Sequence, residues 1–486
     1  MLNSSNSTSP EKRPVLFLFH AEKTCYIGGL IFYPHSFFYE KENTMAARET
    51  FQSRFGFILA CVGSAVGMAN IWAFPIQVGK NGGAVFILIY LFFIALFSHV
   101  GLSAEFAIGR RSGTGTLGSY EKAWKDIGHG RPGYLLAWLP LAGSLTIAIG
   151  YAVITGWVLR TFGGVITGDL FTGGANGAMD AGKFFNDAAG QHFGSVGWHT
   201  AVVVITLLTL FLGARSIERS NKIMMPVFFI LFLILAVRVA FLPGAIEGYK
   251  HLFIPRWEYL FKANTWIFAM GQALFSLSIT GSGMIAYGRY LKKDVDIVKA
   301  AHSTAIFDTI AAMIAALVII PAGAAFGVQY TGGGPGLMFV TLPGVLAQIP
   351  FGRLLAAFFF ISVLFAAISS LQNMYEAVAE SLINRFKISR LPILIGMGLI
   401  CLGVGVFIEH GDNLGPWMDV VSIYIIPAGA VLGAISWFFI QKQEHLLDEI
   451  NTGAVRIQGK GFITIGRYIY VPLVLVVCAL SILRVL

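Results

Sequence analysis

The sequence predicts an all-α integral membrane protein, and three observations carry that prediction. Of its 486 residues 56% are apolar and only 12% charged, with a mean hydropathy of +0.73. Soluble domains carry roughly 25% charged residues, so this chain lacks the polar surface that water demands. Second, the apolar residues fall into eleven stretches near the length a bilayer asks of a helix, about 20 residues. Third, the first and sixth stretches are interrupted by small and polar residues at corresponding places. Two five-helix repeats explain that correspondence. An odd repeat length turns the second half over, so the architecture expected is a 5+5 inverted repeat with unwound first and sixth helices, plus an eleventh helix.

The stretches run over about 56–78, 84–109, 134–161, 198–213, 222–243, 265–290, 300–328, 352–382, 391–408, 416–440 and 466–486. Repeat one is then about 56–243, repeat two about 265–440, and the extra helix about 466–486. Between the seventh and eighth lies 329–351, where Gly332-Gly333-Gly334-Pro335 breaks helices and a re-entrant or capping loop is expected. Residues 1–44 are polar, then aromatic, without a clean signal-peptide cleavage site. They read either as an over-long gene model preceding a start at Met45 or as a disordered cytoplasmic tail. The four cysteines show no CxxC spacing, and three lie in apolar runs, so neither a disulfide framework nor a zinc site is expected.

The formal charge of +9 would suggest nucleic acid in a soluble protein. Here topology accounts for it. With residue 48 in the cytoplasm, 21 of the 30 Lys and Arg after residue 44 fall in inward-facing segments, as the positive-inside tendency requires. The N-terminus is therefore expected inside, Leu486 outside, and the protein in the cytoplasmic (inner) membrane. No HExxH, GxSxG or GxxxxGK[ST] motif occurs, and no enzyme is expected.

The first stretch holds Gly63-Ser64-Ala65-Val66-Gly67-Met68-Ala69-Asn70, and the sixth Phe275-Ser276-Leu277-Ser278-Ile279-Thr280-Gly281-Ser282-Gly283. Unwound backbone at membrane depth survives only where it lines a cavity or is buried in protein. Its freed carbonyls and half-helix ends can hold cations and an anionic substrate group. The competing reading is a GxxxG helix-packing face, which Gly63 and Gly67 fit literally. Two breaks at matching positions favour the cavity.

These residues also carry a resemblance. Arg48-Glu-Thr-Phe-Gln-Ser-Arg54-Phe-Gly56, Asn70-Ile-Trp-Ala-Phe-Pro75, Lys80-Asn81-Gly82-Gly83 and Glu105-x-x-x-Gly109-Arg110 stand in order with Tyr151, Ser276-Leu-Ser278 and Ala366-Ala-Ile-Ser369-Ser370. From residue 46 onward the chain resembles the neurotransmitter:sodium symporter family, in its eleven-span bacterial branch. The resemblance implies an inverted-repeat transporter that imports an amino acid with sodium. One sodium is expected among the carbonyls of Gly63, Val66 and Ala366 and the hydroxyls of Ser369 and Ser370. The other is expected at the Ala65 carbonyl, Asn70, Ser276 and Asp308. Relatives often have Asn at the Asp308 position, and the extra carboxylate is expected to replace the chloride that some members need.

Gly67 stands where amine transporters have Asp, which points to a substrate bearing its own carboxylate. The resemblance places that group near Met68, Ala69 and Tyr151, and the amino group near Ala65, Phe275, Ser276 and Ser278. Ile147, Phe275, Ile279, Gly281, Ser370 and Met374 are expected around the side chain. Gly281 replaces a large residue of several relatives, and the space favours a bulky hydrophobic or aromatic amino acid. Among gate residues, Arg48 and Tyr290 match the family pattern, while Asn384 replaces its Asp; Glu376 or Glu380 is available instead. At the outer gate Ala73 stands for an Arg, leaving Asp419 as a candidate former partner. With gates so altered, a substrate sensor or an uncoupled channel-like protein on the same scaffold remains a rival.

Overall fold

A run of apolar residues in hydrocarbon satisfies its backbone polar groups only by coiling into a helix, and helices account for the secondary structure here. The structure, a computed structural model, describes residues 50–172, 179–327 and 335–483, all within the unit Arg48–Leu486. The readings of residues 1–44 and of Arg48 fall outside the described residues. No strand occurs among the described residues.

Eight helices are long and apolar enough to cross a bilayer alone. They are Ala84–Ser112, Gly130–Thr167, Ala214–Ala240, Ile297–Ala325, Gly352–Phe386, Arg390–Ile408, Gly411–Ile440 and Lys460–Ile482. A ninth span is the pair Arg54–Ala65 and Ala69–Lys80, bent by 60° at its break. The fourth expected stretch is the 15-residue helix Val196–Leu210. The sixth is the pair Ala263–Ser276 and Gly283–Arg289, parted by residues 277–282. Every apolar stretch of the sequence thus coincides with a helix, and these are called spans one to eleven below. Within 329–351 the described part forms the short apolar helix Leu337–Ala347.

Spans one and six, which carry the breaks, pack against spans two, five, seven and eight, and span three reaches them through single side chains. Close approach depends on glycine. A side chain at Gly63 would strike Asn221 of span five and Ser369 of span eight; one at Gly56 would strike Glu218. Glu218 in turn holds the start of span one. Its carboxylate accepts from the Gln52 amide at 2.5 Å and from the Ser53 hydroxyl at 2.7 Å. Large apolar side chains such as Leu88, Phe92, Leu208 and Leu399 point outward, the belt a lipid-facing surface needs. Cys61, Cys401 and Cys478 are free and buried.

Basic residues gather at one end of the bundle. Buried Arg110 pairs with Glu449 at 2.5 Å and donates to the Val295 carbonyl at 2.8 Å. Arg54 donates to the Asp294 carbonyl at 3.0 Å, and Arg385 pairs with Glu121 at 3.3 Å. Segments 52–54, 110–126, 289–299, 385–390 and 442–456 therefore share one face, as the charge pattern requires.

Candidate functional site

The break in span one follows from its sequence. Gly63, Ser64, Ala65 and Gly67 offer little side-chain packing to hold a helix, and at Val66 the backbone turns extended, with φ −69° and ψ 112°. Asn70 then restarts the helix, its Oδ1 accepting from the Gly67 amide at 3.1 Å. The next amide, Met68, donates to the Tyr151 hydroxyl of span three at 2.8 Å. Gly67 has no room for a side chain: a Cβ there would sit 2.7 Å from the Tyr151 hydroxyl and 2.8 Å from that of Ser370.

Span six breaks opposite. Ser278 takes a left-handed φ of +53°, uncommon outside glycine, and its hydroxyl donates to the Ser64 carbonyl at 3.1 Å. The two breaks thus face each other across a pocket. Among the expected substrate residues, Ala65, Ala69, Ile147 and Tyr151 line it, as do Phe275, Ser278, Ser370 and Met374. Met68 reaches it only through its amide, bonded to Tyr151. Ile279 is buried away from the wall, and Ser276 turns toward Asp308.

Gly281 requires a correction. It does not line the pocket, and its missing side chain leaves no cavity. At φ +74°, a Cβ would meet the Gly429 carbonyl at 2.5 Å and the Tyr120 hydroxyl at 2.7 Å. Its amide instead donates to Glu105 at 2.7 Å. The space expected there is filled by span ten and by the helix Gly115–Lys125. Ser144, Thr280, Asn373 and Ile426 line the pocket and were not anticipated. Ser144 and Asn373 were accessible to helical spacing, at seven residues from Tyr151 and three from Ser370. Nothing in the sequence pointed to Ile426.

Two oxygen clusters flank the pocket. In the first, the Ser370 hydroxyl lies 3.1 Å from the Val66 carbonyl, 3.4 Å from that of Ser64 and 3.5 Å from that of Gly63. One hydroxyl proton serves one of these, so the others keep free lone pairs converging on a point. Ser369, whose Cβ abuts Gly63, donates its hydroxyl to the Ala366 carbonyl at 2.9 Å. This is a neutral, all-oxygen set suited to a hard monovalent cation.

The second cluster is built on Asp308. Its carboxylate, wholly buried, accepts from Asn70 Nδ2 at 2.8 Å and from the Ser276 hydroxyl at 2.6 Å. Among the described residues no Lys, Arg or His pairs with it. Buried charges are paired or hold a metal, so this arrangement fits a cation. No group of three or more His, Cys, Asp or Glu that could hold a metal occurs among the described residues.

Toward the basic end the pocket is shut. The Tyr290 hydroxyl meets Glu376 and also Glu380, the latter at 2.8 Å. Arg390 pairs with Glu376, and Arg289 with Glu380 at 2.5 Å. Asn384 stands one turn on, donating to the Glu380 carbonyl at 2.7 Å. Both glutamates therefore stand in the network, rather than one. Phe51 closes it further, packed on Tyr290 and Tyr287. On the opposite side Phe275 is 42% exposed, and Asp419 is exposed with no ion pair among the described residues. Phe275 thus keeps exposed surface at the pocket, while Tyr290 and its partners form a hydrogen-bonded network toward the basic end.

Comparison with known proteins agrees with this geometry. The sequence pattern of the sodium:neurotransmitter symporter family matches residues 48–173 and 184–485. An uncharacterized sodium-dependent transporter, YhdH of Bacillus subtilis, is 32% identical over 89% of this chain and 97% of its own. The sodium- and chloride-dependent GABA transporter ine of Drosophila melanogaster is 27% identical over 79% of this chain and 46% of its own. Among solved structures, MhsT in complex with L-phenylalanine superposes with a TM-score of 0.79. It is 34% identical, covering 90% of this chain and all of that one. The protein is thus a multi-pass, sodium-coupled membrane transporter and not an enzyme: it belongs to the sodium:neurotransmitter symporter family.

Proposed function

We propose that this transporter imports an amino acid with sodium across the cytoplasmic membrane, by alternating access and without need of chloride. The observation that carries the substrate class is the meeting of the Met68 amide and the Tyr151 hydroxyl above Gly67. Half-helix N-termini attract anions, and the Tyr151 hydroxyl, which accepts from Met68, keeps its own proton to donate to a substrate carboxylate. The apolar walls at Ile147, Phe275 and Met374 favour a bulky hydrophobic or aromatic side chain. A neighbour that binds L-phenylalanine supports the same class.

Two sodium sites are proposed, one at Gly63, Val66, Ala366, Ser369 and Ser370, the other at Ala65, Asn70, Ser276 and Asp308. The Asp308 carboxylate supplies the negative charge that chloride would otherwise bring. Tyr290 and Asn384, with Arg48, belong to the inner gate. In this orientation the basic end and the N-terminus face the cytoplasm, and the C-terminus lies outside. The closed Tyr290 network favours alternating access over an open channel, which would need a continuous path.

A thermal-stability screen of the twenty amino acids, with sodium or choline, tests the reading. A bound ligand raises stability by RT ln(1 + [L]/Kd). Aromatic or large aliphatic amino acids are expected to raise the midpoint only with sodium. A response to amines alone, or none to any amino acid, would overturn it.

A further inference from the structure

A second cleft opens at the basic end of the bundle. The helix Gly115–Lys125 forms one wall and the end of span eight the other. The walls are docked closely: the Thr116 amide donates to the Ser381 hydroxyl at 2.9 Å, and a side chain at Gly115 would strike Ser381. Helical spacing then sets the lining. Glu121, Lys122 and Lys125 share one face of the first helix, and Ser381, Asn384 and Arg385 one face of span eight. Lys122, Lys125 and Arg385 are exposed.

The charges here do not cancel. Among the described residues of the lining the only carboxylate is Glu121, shared between Lys125 at 3.0 Å and Arg385 at 3.3 Å. Lys122 donates to the Arg111 carbonyl at 2.7 Å, a contact that neutralises nothing. Arg111 and Asp126 answer each other at 3.7 Å. Three cations thus face one carboxylate in the cleft. Its rim is apolar. The Arg385 guanidinium lies over the Tyr134 ring, 4.1 Å from its centre. Tyr134 belongs to the short helix Gly130–Leu136 that leads into span three, where Leu135, Leu136, Trp138 and Leu139 are exposed. Phe386, next to Arg385, is exposed as well. Exposed leucines with a tryptophan at the end of a span mark the level where acyl chains meet headgroups. A soluble anion would use the cations alone, whereas a phospholipid uses both features, its phosphate among the cations and its chains on the leucines.

We propose that this cleft binds the headgroup of an anionic phospholipid from the leaflet at the basic end, its phosphate held by Lys122, Lys125 and Arg385. Both walls touch the headgroup, so the lipid favours the arrangement in which they stand together. Span eight carries Glu380 of the Tyr290 network one residue before Ser381, and a lipid that holds this wall steadies that network too. The inference is independent of the substrate.

The test is thermal unfolding of the purified full-length protein in a neutral detergent. It is titrated with dioctanoyl phosphatidylglycerol, dioctanoyl phosphatidylcholine or inorganic phosphate at equal ionic strength. Phosphatidylglycerol is expected to raise the midpoint saturably, and the other two to leave it unchanged. Lys122→Gln combined with Lys125→Gln should weaken the apparent affinity for phosphatidylglycerol about tenfold or more. Arg456→Gln combined with Lys460→Gln removes as much exposed charge elsewhere, and should change that affinity by less than about threefold. Glu121→Gln reads the opposite sign: it releases Lys125 and Arg385 and should tighten binding, which keeps the test decisive if the first pair fails to fold. Equal effects of phosphatidylglycerol and phosphatidylcholine overturn the proposal. So does an equal loss in the two double variants, or an affinity that Glu121→Gln leaves unchanged or weakens. Stabilisation by phosphate alone makes the cleft a soluble-anion site and overturns the lipid assignment.

Discussion

Replacing Asp308 by Asn isolates the charge of one carboxylate. Asp308 is wholly buried, held by Asn70 at 2.8 Å and Ser276 at 2.6 Å, and it pairs with no basic residue among the described ones. Asn keeps the shape and one carbonyl oxygen but removes the negative charge. Two unit charges about 4 Å apart attract by about 4 kcal/mol at an effective dielectric of about 20. The remaining amide oxygen recovers part of that, so the net loss is about 2–3 kcal/mol. Sodium affinity should fall roughly 30- to 150-fold, at 1.4 kcal/mol per tenfold. The sodium-free protein should change in the opposite sense, because an unpaired buried charge is costly to hold. Thermal unfolding across a sodium series reads both effects. Asp308→Asn should unfold at a higher temperature than the wild type without sodium, and gain less from its addition. A sodium midpoint within about threefold of wild type would refute the reasoning, because the carboxylate would then lie outside the ion's field.

Three further outcomes follow from the geometry. Tyr151→Phe removes the acceptor of the buried Met68 amide, and titration calorimetry should show amino-acid binding weakened by about 1–2 kcal/mol, roughly tenfold. Glu380→Gln removes the charge that pairs with Arg289 and supports Tyr290; hydrogen exchange should quicken at Phe51, which packs on Tyr290 and whose amide donates to its carbonyl. Asp126, in the loop after span two, gives a pH signature. Burial pushes its carboxyl up, but His445 at 2.7 Å, the Lys442 amide and Arg111 outweigh that and hold it below its usual value. A carboxyl lowered on folding contributes stability above its unfolded pKa, about 3.9, and loses it as pH falls through the folded value. Asp126→Asn should therefore lower stability at neutral pH, by less than about 1 kcal/mol for an ion pair at the edge of the bundle. The two proteins should converge below about pH 4.

The spans and their breaks were legible because the bilayer leaves one option to apolar runs, and because Gly, Ser and Asn at membrane depth contradict an ordinary helix. Asn70, Ser276 and Asp308 were named from position and chemistry, and they meet within hydrogen-bond distance. Gly281 shows where the reading ran out. A missing side chain makes a cavity only if nothing else moves in, and here Gly429 and Tyr120, remote in sequence, fill the space. Register was the second obstacle. Glu376, Glu380 and Asn384 recur every four residues on one face of span eight, and which of them meets Tyr290 depends on how far along span six that ring sits.

Gradient-driven uptake in proteoliposomes tests the central claim most directly. With an inward sodium gradient, an amino acid that stabilises the protein should accumulate above its external concentration. Substituting choline for sodium should abolish the accumulation, and substituting gluconate for chloride should leave it intact. Binding without flux would make the protein a sensor, equilibration without accumulation an uncoupled pore, and either would contradict the account.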